Sequence, residues 1–176
     1  MIKKIVFLSL LVLFCNAFSI PEKIAKKADK EIAKFYETED FKKLVIFVPE
    51  ELNNETPSQF GDENLFKISS KGKLVGYGYI GNAPSRTARF DYLVLFDTDL
   101  ILAKIKVLVY REEYGGEIGS KRWLEQFDGT PVASKELRLN QEIVPISGAT
   151  ISTQAMTKAI NDLLKSISLL HTKKIL

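Results

Sequence analysis

Cysteine and histidine are almost absent from this chain. Its 176 residues contain one of each, Cys15 and His171. A single cysteine forms no disulfide within the chain, and a single histidine supplies neither a multi-histidine zinc site nor, from a lysine-rich C-terminal end, a convincing Ser-His-Asp triad. The sequence therefore predicts no metal site. Either a cofactor supplies the chemistry of this protein or it has none.

An excess of charge of one sign is also missing. The formal net charge is +3, from 25 basic and 22 acidic residues. Loss of Lys3 and Lys4 with an N-terminal signal would lower it to +1. Nucleic-acid binding needs a clustered basic surface, so no nucleic-acid partner is predicted. The composition, 45% hydrophobic and 27% charged, is typical of one globular domain.

The N-terminal residues have the order of a secretory signal. Lys3 and Lys4 precede the apolar run 5–14, and small or polar residues follow as far as Ser19. The run is shorter than the roughly 20 apolar residues that span a membrane. We predict a signal peptide over residues 1–19, cleaved after Ala17 or Ser19, with a retained N-terminal anchor as the alternative. Residues 20–176 would form the mature domain.

Hydrophobic periodicity predicts a helix at each end of this domain. Ile24, Ala28, Ile32 and Tyr36 recur every four residues, which is typical of an amphipathic helix. Acidic residues between its lysines favour a solvated outer face over attraction to a membrane. The apolar face of the C-terminal helix is formed by Ala155, Ala159, Ile160, Leu163, Leu164 and Ile167.

Between the helices the pattern indicates strands. "LFKI" and "KLVGYGYI" flank the turn "SSKG", and "RFDYLVLF" and "LILAKIKVLVY" flank "DTD", which predicts two hairpins. Lys104 and Lys106 alternate with apolar residues, so one sheet face should be wet. "LVIFVPEE" and "EIVPI" predict further strands, residues 53–63 a loop, and "KRWLEQF" a short helix. The predicted class is α+β, a largely antiparallel sheet with N-terminal and C-terminal helices.

The stretch "SGATIST", residues 147–153, stands directly before the C-terminal helix. A helix start exposes about four unpaired N–H groups and roughly half a positive charge. Ser147 and Gly148 allow a tight turn, and Ala149 keeps bulk away. The hydroxyls that could either cap the helix or face a ligand belong to Thr150, Ser152 and Thr153. The stretch is therefore either a phosphate-sized anion site or a plain N-cap.

A glycine-rich loop lies in "YREEYGGEIGSKRWLEQF". Gly115 and Gly116 can make an ordinary turn. They can also let the backbone approach a flat ligand, with Tyr114 and Trp123 as aromatic walls. The residues alone leave both interpretations open.

Together, "SGATIST" and "YREEYGGEIGSKRWLEQF" resemble the FMN-binding domain family, from about Leu74 to Leu164. Its members include the flavin subunits of the Rnf electron-transport complex and of the sodium-pumping NADH:quinone oxidoreductase. The resemblance implies FMN as the cofactor, joined by a phosphoester to Thr150 by an FAD:protein FMN transferase outside the cytoplasm. The other cofactor-binding residues that it implies are Tyr114, Gly115, Gly116, Glu117, Ile118, Lys121, Trp123, Ser147, Gly148, Ala149, Ser152 and Thr153.

One position departs from the family's attachment motif. Val144 stands where the motif usually has an aspartate, three residues before Ser147, and Glu142 lies two residues further back. That acid would help the transferase recognise its target. The sequence therefore leaves open whether FMN is covalently attached or only bound.

The resemblance and the predicted signal imply an exported flavoprotein in the periplasm or at the outer face of the cytoplasmic membrane. It would exchange electrons with membrane or periplasmic redox partners rather than act as a stand-alone enzyme. Two alternatives remain: a binding module that keeps the fold without flavin, and a small flavin reductase with its own substrate.

Overall fold

A computed structural model describes residues 20–61 and 63–176, so the predicted signal peptide lies outside the described residues. These residues form one antiparallel sheet in the order β1-β2-β3-β4-β5. The strands are β1 Phe41–Val45, β2 Leu65–Ser70, β3 Lys73–Pro84, β4 Arg89–Phe96 and β5 Leu102–Val109. The helices are α1 Glu22–Phe35, α2 Glu50–Glu55, α3 Lys121–Leu124 and α4 Thr150–Thr172. The predicted α+β class is confirmed.

Both predicted hairpins are present. Lys71 and Gly72 connect β2 to β3 with φ angles of 50° and 76°. Two successive positive φ angles are those of a type I′ turn, whose twist matches that of the paired strands. Asp97 holds the β4–β5 connection, because its carboxylate accepts the N–H groups of Asp99 and Ile101, each at 2.9 Å.

Helix α4 covers one face of the sheet. Met156, Ile160, Leu163, Leu164 and Ile167 are buried in the larger hydrophobic cluster, together with the inward side chains of β3, β4 and β5. Burying side chains of this size stabilises the fold by about 1.5–3 kcal/mol each. The predicted apolar face is confirmed for its large residues, while Ala155 and Ala159 are half-buried at its margin.

Helix α1 covers the opposite face, which corrects the expectation of a wet face. Ile24, Ala28 and Ile32 are buried in a second hydrophobic cluster there. The ammonium groups of Lys104 and Lys106 each lie 3.7 Å from the Glu31 carboxylate on α1. The alternation in β5 correctly predicted that Lys104 and Lys106 share one face of the sheet. It did not predict that α1 packs on that face, because lysine side chains can cover apolar surface with their stems while their charged ends form ion pairs.

Two further expectations differ from the structure. Residues 50–55 form α2 directly after Pro49, although residues 53–63 were expected to be a loop; Glu50 and Glu51 in its first turn suit the helix dipole. "EIVPI" is not a strand, since within it only Ile143 makes a β-bridge, to Leu139. Among the described residues, no helix combines the length and the apolar composition needed to cross a membrane.

Candidate functional site at the start of the C-terminal helix

A tight turn delivers the chain to α4. The N–H of Ala149 donates to the carbonyl of Ile146 at 3.2 Å, and Gly148 between them has a φ of 82°. A positive φ at this position is that of a type II turn and favours glycine. Ser147 and Gly148 are exposed, while Ala149 is buried. The expected tight turn at Ser147 and Gly148 is confirmed.

The first turn of α4 has no side-chain cap. The helix begins at Thr150 after Ala149, which has no side-chain acceptor, and its first helical bond runs from the Thr153 N–H to the Ala149 carbonyl at 2.9 Å. The N–H groups of Thr150, Ile151 and Ser152 precede that bond and lie outside the helical ladder. The plain N-cap interpretation therefore does not hold, and the helix end is available to an anion.

The three hydroxyls of this turn differ in direction. Thr153 is fully buried, and its hydroxyl donates back to the carbonyls of Thr150 and Ala149, at 2.9 and 3.1 Å. Ser152 is also buried, and its hydroxyl lies 3.0 Å from that of Tyr110. Only Thr150 is exposed. Ser152 can meet a ligand through its backbone N–H, whereas Thr153 supports the turn from inside.

Tyr110, which the sequence analysis did not single out, joins the two glycine-containing loops. Its hydroxyl donates to the carbonyl of Tyr114 at 3.1 Å. Since that uses its one hydrogen, the Ser152 hydroxyl is the donor in the bond between them. The Tyr110 ring packs near Phe90, with centroids 6.0 Å apart. One side chain thus fixes the glycine-rich loop to the start of α4.

The two loops also touch directly. Gly115 has a φ of 82°, and a Cβ added there would lie 2.8 Å from the Tyr110 hydroxyl and 3.3 Å from the Ala149 Cβ. A Cβ added at Gly116 would meet nothing within 4 Å. Gly115 is therefore required by the contact between the loops. Gly116 instead faces open space, where a flat ligand could approach the backbone.

The rest of the glycine-rich loop has one inward anchor and an exposed rim. Ile118 is fully buried and anchors the 3₁₀ turn Gly116–Gly119. Tyr114 is 81% exposed. Glu117 is exposed, as is Lys121, which forms a surface ion pair with Glu125 at 3.4 Å. Of these, Tyr114, Glu117 and Lys121 are free to contact a ligand with their side chains, and Ile118 is not.

Trp123 is a structural anchor rather than an exposed aromatic wall. It is only 5% exposed, and its Nε1 donates to the carbonyl of Val144 at 2.8 Å. Gln126 completes the link, because its Oε1 accepts the Val144 N–H at 2.8 Å. With the Val144 backbone held by these side chains, no strand forms there. The open groove between them has a volume of about 390 Å³ and is lined by Ser120, Arg122, Trp123, Gln126, Val144, Pro145 and Ile146.

Val144, which stands where the attachment motif usually has an aspartate, places an apolar side chain beside this groove. Val144 is 66% exposed. Glu142 does not replace the missing acid, because its carboxylate accepts the backbone N–H of Arg138 at 2.9 Å. That hydrogen bond is the main cause that lowers the pKa of the Glu142 carboxyl. Across residues 20–61 and 63–176, no group of three or more His, Cys, Asp or Glu is placed to hold a metal ion.

The fold and the site define an α+β domain with an open ligand site between a glycine-rich loop and an uncapped helix start. Residues 87–165, which contain both, match the FMN-binding domain family. No curated protein matches the sequence of this chain. The match of this segment indicates FMN as the cofactor.

The donor set of the site suits this cofactor. The three N–H groups at the start of α4 offer hydrogen bonds and dipole to a phosphate without a basic side chain. The open space at Gly116 and the exposed Tyr114 ring suit a flat aromatic group. Tyr110 and Gln126 are the supporting residues that the sequence did not reveal. Both lie within "YREEYGGEIGSKRWLEQF", but no local pattern indicated their hydrogen bonds.

Proposed function

We propose that this protein is exported, carries FMN covalently on Thr150 and transfers electrons between redox partners. The observation that carries the proposal is the position of the Thr150 hydroxyl, exposed on the first residue of an uncapped helix inside an FMN-binding domain. A phosphoester there would place the phosphate against the N–H groups of Thr150, Ile151 and Ser152. Bound FMN supplies the redox chemistry, by accepting and releasing electrons.

The chain's own residues contribute binding and orientation. Tyr110 and the contact between Gly115 and Ala149 hold the glycine-rich loop at the phosphate end of the site. The exposed side chains of Tyr114, Glu117 and Lys121 would lie beside the remainder of the cofactor. The groove beside Val144 is open rather than enclosed. An open groove favours electron exchange with protein partners over a reductase with its own small substrate.

Attachment requires help from another enzyme. A threonine hydroxyl is a weak nucleophile, and no His or Cys lies in residues 144–153 to activate it. The base and the metal ion must therefore come from an FAD:protein FMN transferase. The predicted signal peptide supports export to the compartment in which such a transferase acts. A covalently attached cofactor also suits an exported protein, because it cannot diffuse away.

Replacement of Thr150 by Val tests the attachment site. Valine keeps the branched shape but removes the attacking oxygen, so Thr150→Val should abolish covalent FMN. The free energy of unfolding should change by less than about 0.5 kcal/mol, because the residue is exposed. The protein is coexpressed with an active transferase, denatured, and examined by visible absorption and peptide mass spectrometry.

Ser147→Ala is the matched control, since it removes an exposed hydroxyl from the same turn. It should retain the yellow chromophore on the denatured chain. An unmodified 147–153 peptide in the unaltered protein, beside an active transferase, would refute covalent attachment. If FMN is not covalently attached, the apolar Val144 favours FMN that is bound without a covalent bond and is released on denaturation.

A further inference from the structure

The acidic residues of α1 do not neutralise its outer face. Asp29 turns toward the sheet and pairs with Lys43 of β1, with 2.5 Å between the charged atoms. Glu31 turns to the same face and contacts the ammonium groups of Lys104 and Lys106. The sequence shows these acids interleaved with lysines, but the structure separates them. Asp29 and Glu31 contact lysines of the sheet, whereas the lysines of the helix are exposed.

The outward residues form a basic stripe along α1. The stripe consists of the exposed residues Lys23, Lys26, Lys27, Lys30 and Lys34. Glu22 is the acid at its edge and pairs with Lys26 at 2.6 Å, although both side chains are largely exposed and such pairs contribute little. Lys27 also donates to the carbonyl of Leu108 at 3.0 Å, which fixes the stripe to the end of β5.

The shape and chemistry of the stripe fit a planar anionic surface. The helix has 14 residues, and at about 1.5 Å per residue the stripe extends over roughly 20 Å. It contains lysines at one or two per turn and no arginine or aromatic side chain, which suits diffuse attraction more than recognition of a particular group. The apolar run 5–14 ends a few residues before α1, so any form of the chain that keeps this run holds the stripe near a bilayer.

We propose that the outer face of α1 is a docking surface for a lipid bilayer rich in anionic headgroups. The attraction is electrostatic, reversible and weakened by salt, because it falls off within a Debye length of about 10 Å at 0.1 M salt. Helix α1 and helix α4 cover opposite faces of the sheet. Docking through α1 therefore leaves the Thr150 site facing away from the lipid, where a redox partner can reach it.

The test uses residues 20–176, which contain both hydrophobic clusters of the core. Vesicles of equal parts phosphatidylglycerol and phosphatidylcholine are compared with pure phosphatidylcholine vesicles by cosedimentation. The protein should bind the anionic vesicles at low salt and be released as salt rises. Lys23→Gln, Lys26→Gln, Lys30→Gln and Lys34→Gln combined should reduce the partition coefficient by about tenfold or more.

A matched control removes the same charge elsewhere. Four exposed lysines lie outside α1, in the loop before α4, within α4 or directly after it: Lys135, Lys165, Lys173 and Lys174. Their combined change to Gln should leave vesicle binding largely intact. Circular dichroism verifies that both variants are folded. Equal losses in the two variants would show attraction to net charge only and would overturn the proposal. Binding to duplex DNA without binding to anionic vesicles would overturn it as well.

Discussion

Tyr110 is the residue that makes one site out of two loops. Its hydroxyl bonds to Tyr114 on one side and Ser152 on the other, at 3.1 and 3.0 Å. Tyr110→Phe keeps the ring against Phe90 but removes both bonds. We expect a loss of about 1–2 kcal/mol in the free energy of unfolding. We also expect slower FMN loading by the transferase, because the exposed Thr150 hydroxyl is no longer held in register with the glycine-rich loop.

Urea denaturation and the rate of flavin incorporation measure these two effects. Tyr79→Phe is the control, since it removes a tyrosine hydroxyl bonded to the carbonyl of Gln59, away from the site. It should lower stability without changing the loading rate. If Tyr110→Phe is loaded as fast as the unaltered protein, Tyr110 does not position the site.

The neighbouring glycines of the loop should respond in opposite ways to substitution. The Cβ introduced by Gly116→Val meets no protein atom within 4 Å, so the variant should fold normally while the flavin absorption and the redox potential shift. Gly115→Ala introduces a side chain at a φ of 82° and 2.8 Å from the Tyr110 hydroxyl. A left-handed alanine costs about 1–2 kcal/mol before any steric contact is counted.

Thermal unfolding and spectroelectrochemistry distinguish the two effects. A folded Gly116→Val protein with unaltered absorption and potential would show that the flavin does not lie over this glycine. A Gly115→Ala protein of unaltered stability would show that the contact with Ala149 is not tight.

Among the helices, strands and turns, the sequence pattern predicted the features that neighbouring residues determine. The four-residue period of α1, the alternation in β5 and the turn residues Lys71 and Gly72 specify their own conformations. "EIVPI" has the composition of a strand, but the Trp123 and Gln126 side chains occupy the backbone groups of Val144. Such competition comes from residues far along the chain and has no local signature.

In the candidate site, too, features set by neighbouring residues were predicted and features set by distant residues were not. The turn at Gly148 and the helix start at Thr150 follow from neighbouring residues, and their place was predicted. The direction of each hydroxyl was not, because Ser152 is turned inward by Tyr110, 42 residues earlier in the chain. The burial of Trp123 was not predicted for a related reason. Its indole N–H finds an acceptor 21 residues later, which only the folded chain shows.

Strand β3 depends on its neighbours to fill the space that its glycines leave. Gly78 of β3 lies opposite Phe66 of the neighbouring strand β2. A Cβ added at Gly78 would lie 2.3 Å from the Phe66 ring. Gly78→Ala should therefore destabilise the fold by about 1–3 kcal/mol through overpacking. Phe66→Leu added to Gly78→Ala should recover part of that loss, because leucine leaves room for the methyl group.

Denaturation of the two single variants and the double variant completes a double-mutant cycle for this pair. The two effects should be non-additive, since the residues touch. Additive losses would mean that the sheet relaxes elsewhere to accommodate the new methyl group.

At the scale of the whole molecule, the sheet separates two surfaces with different properties. One face carries α4, with the candidate FMN site at its first turn, and the other carries α1 with its basic stripe. Strands β2, β3, β4 and β5 each place side chains in both clusters, so the two helices are coupled through one sheet. The order of the strands follows the chain, which brings sequence neighbours together throughout.

The segment that matches the family should not fold without the rest of the chain. Residues 87–165 contain β4, β5 and most of α4, but lack β3, which pairs with β4 from Tyr77↔Phe96 to Pro84↔Arg89. They also lack α1, so Leu93, Leu95 and Leu108 would lose their cover. Two strands with one uncovered apolar face are at best marginally stable in water.

Circular dichroism of a fragment 87–165 should show little ordered structure, whereas residues 20–176 should unfold in one cooperative transition by urea. A fragment with the circular dichroism of a folded domain and tight FMN binding would contradict this, and would mean that α1 and β1–β3 are an addition to the FMN-binding unit rather than half of its core.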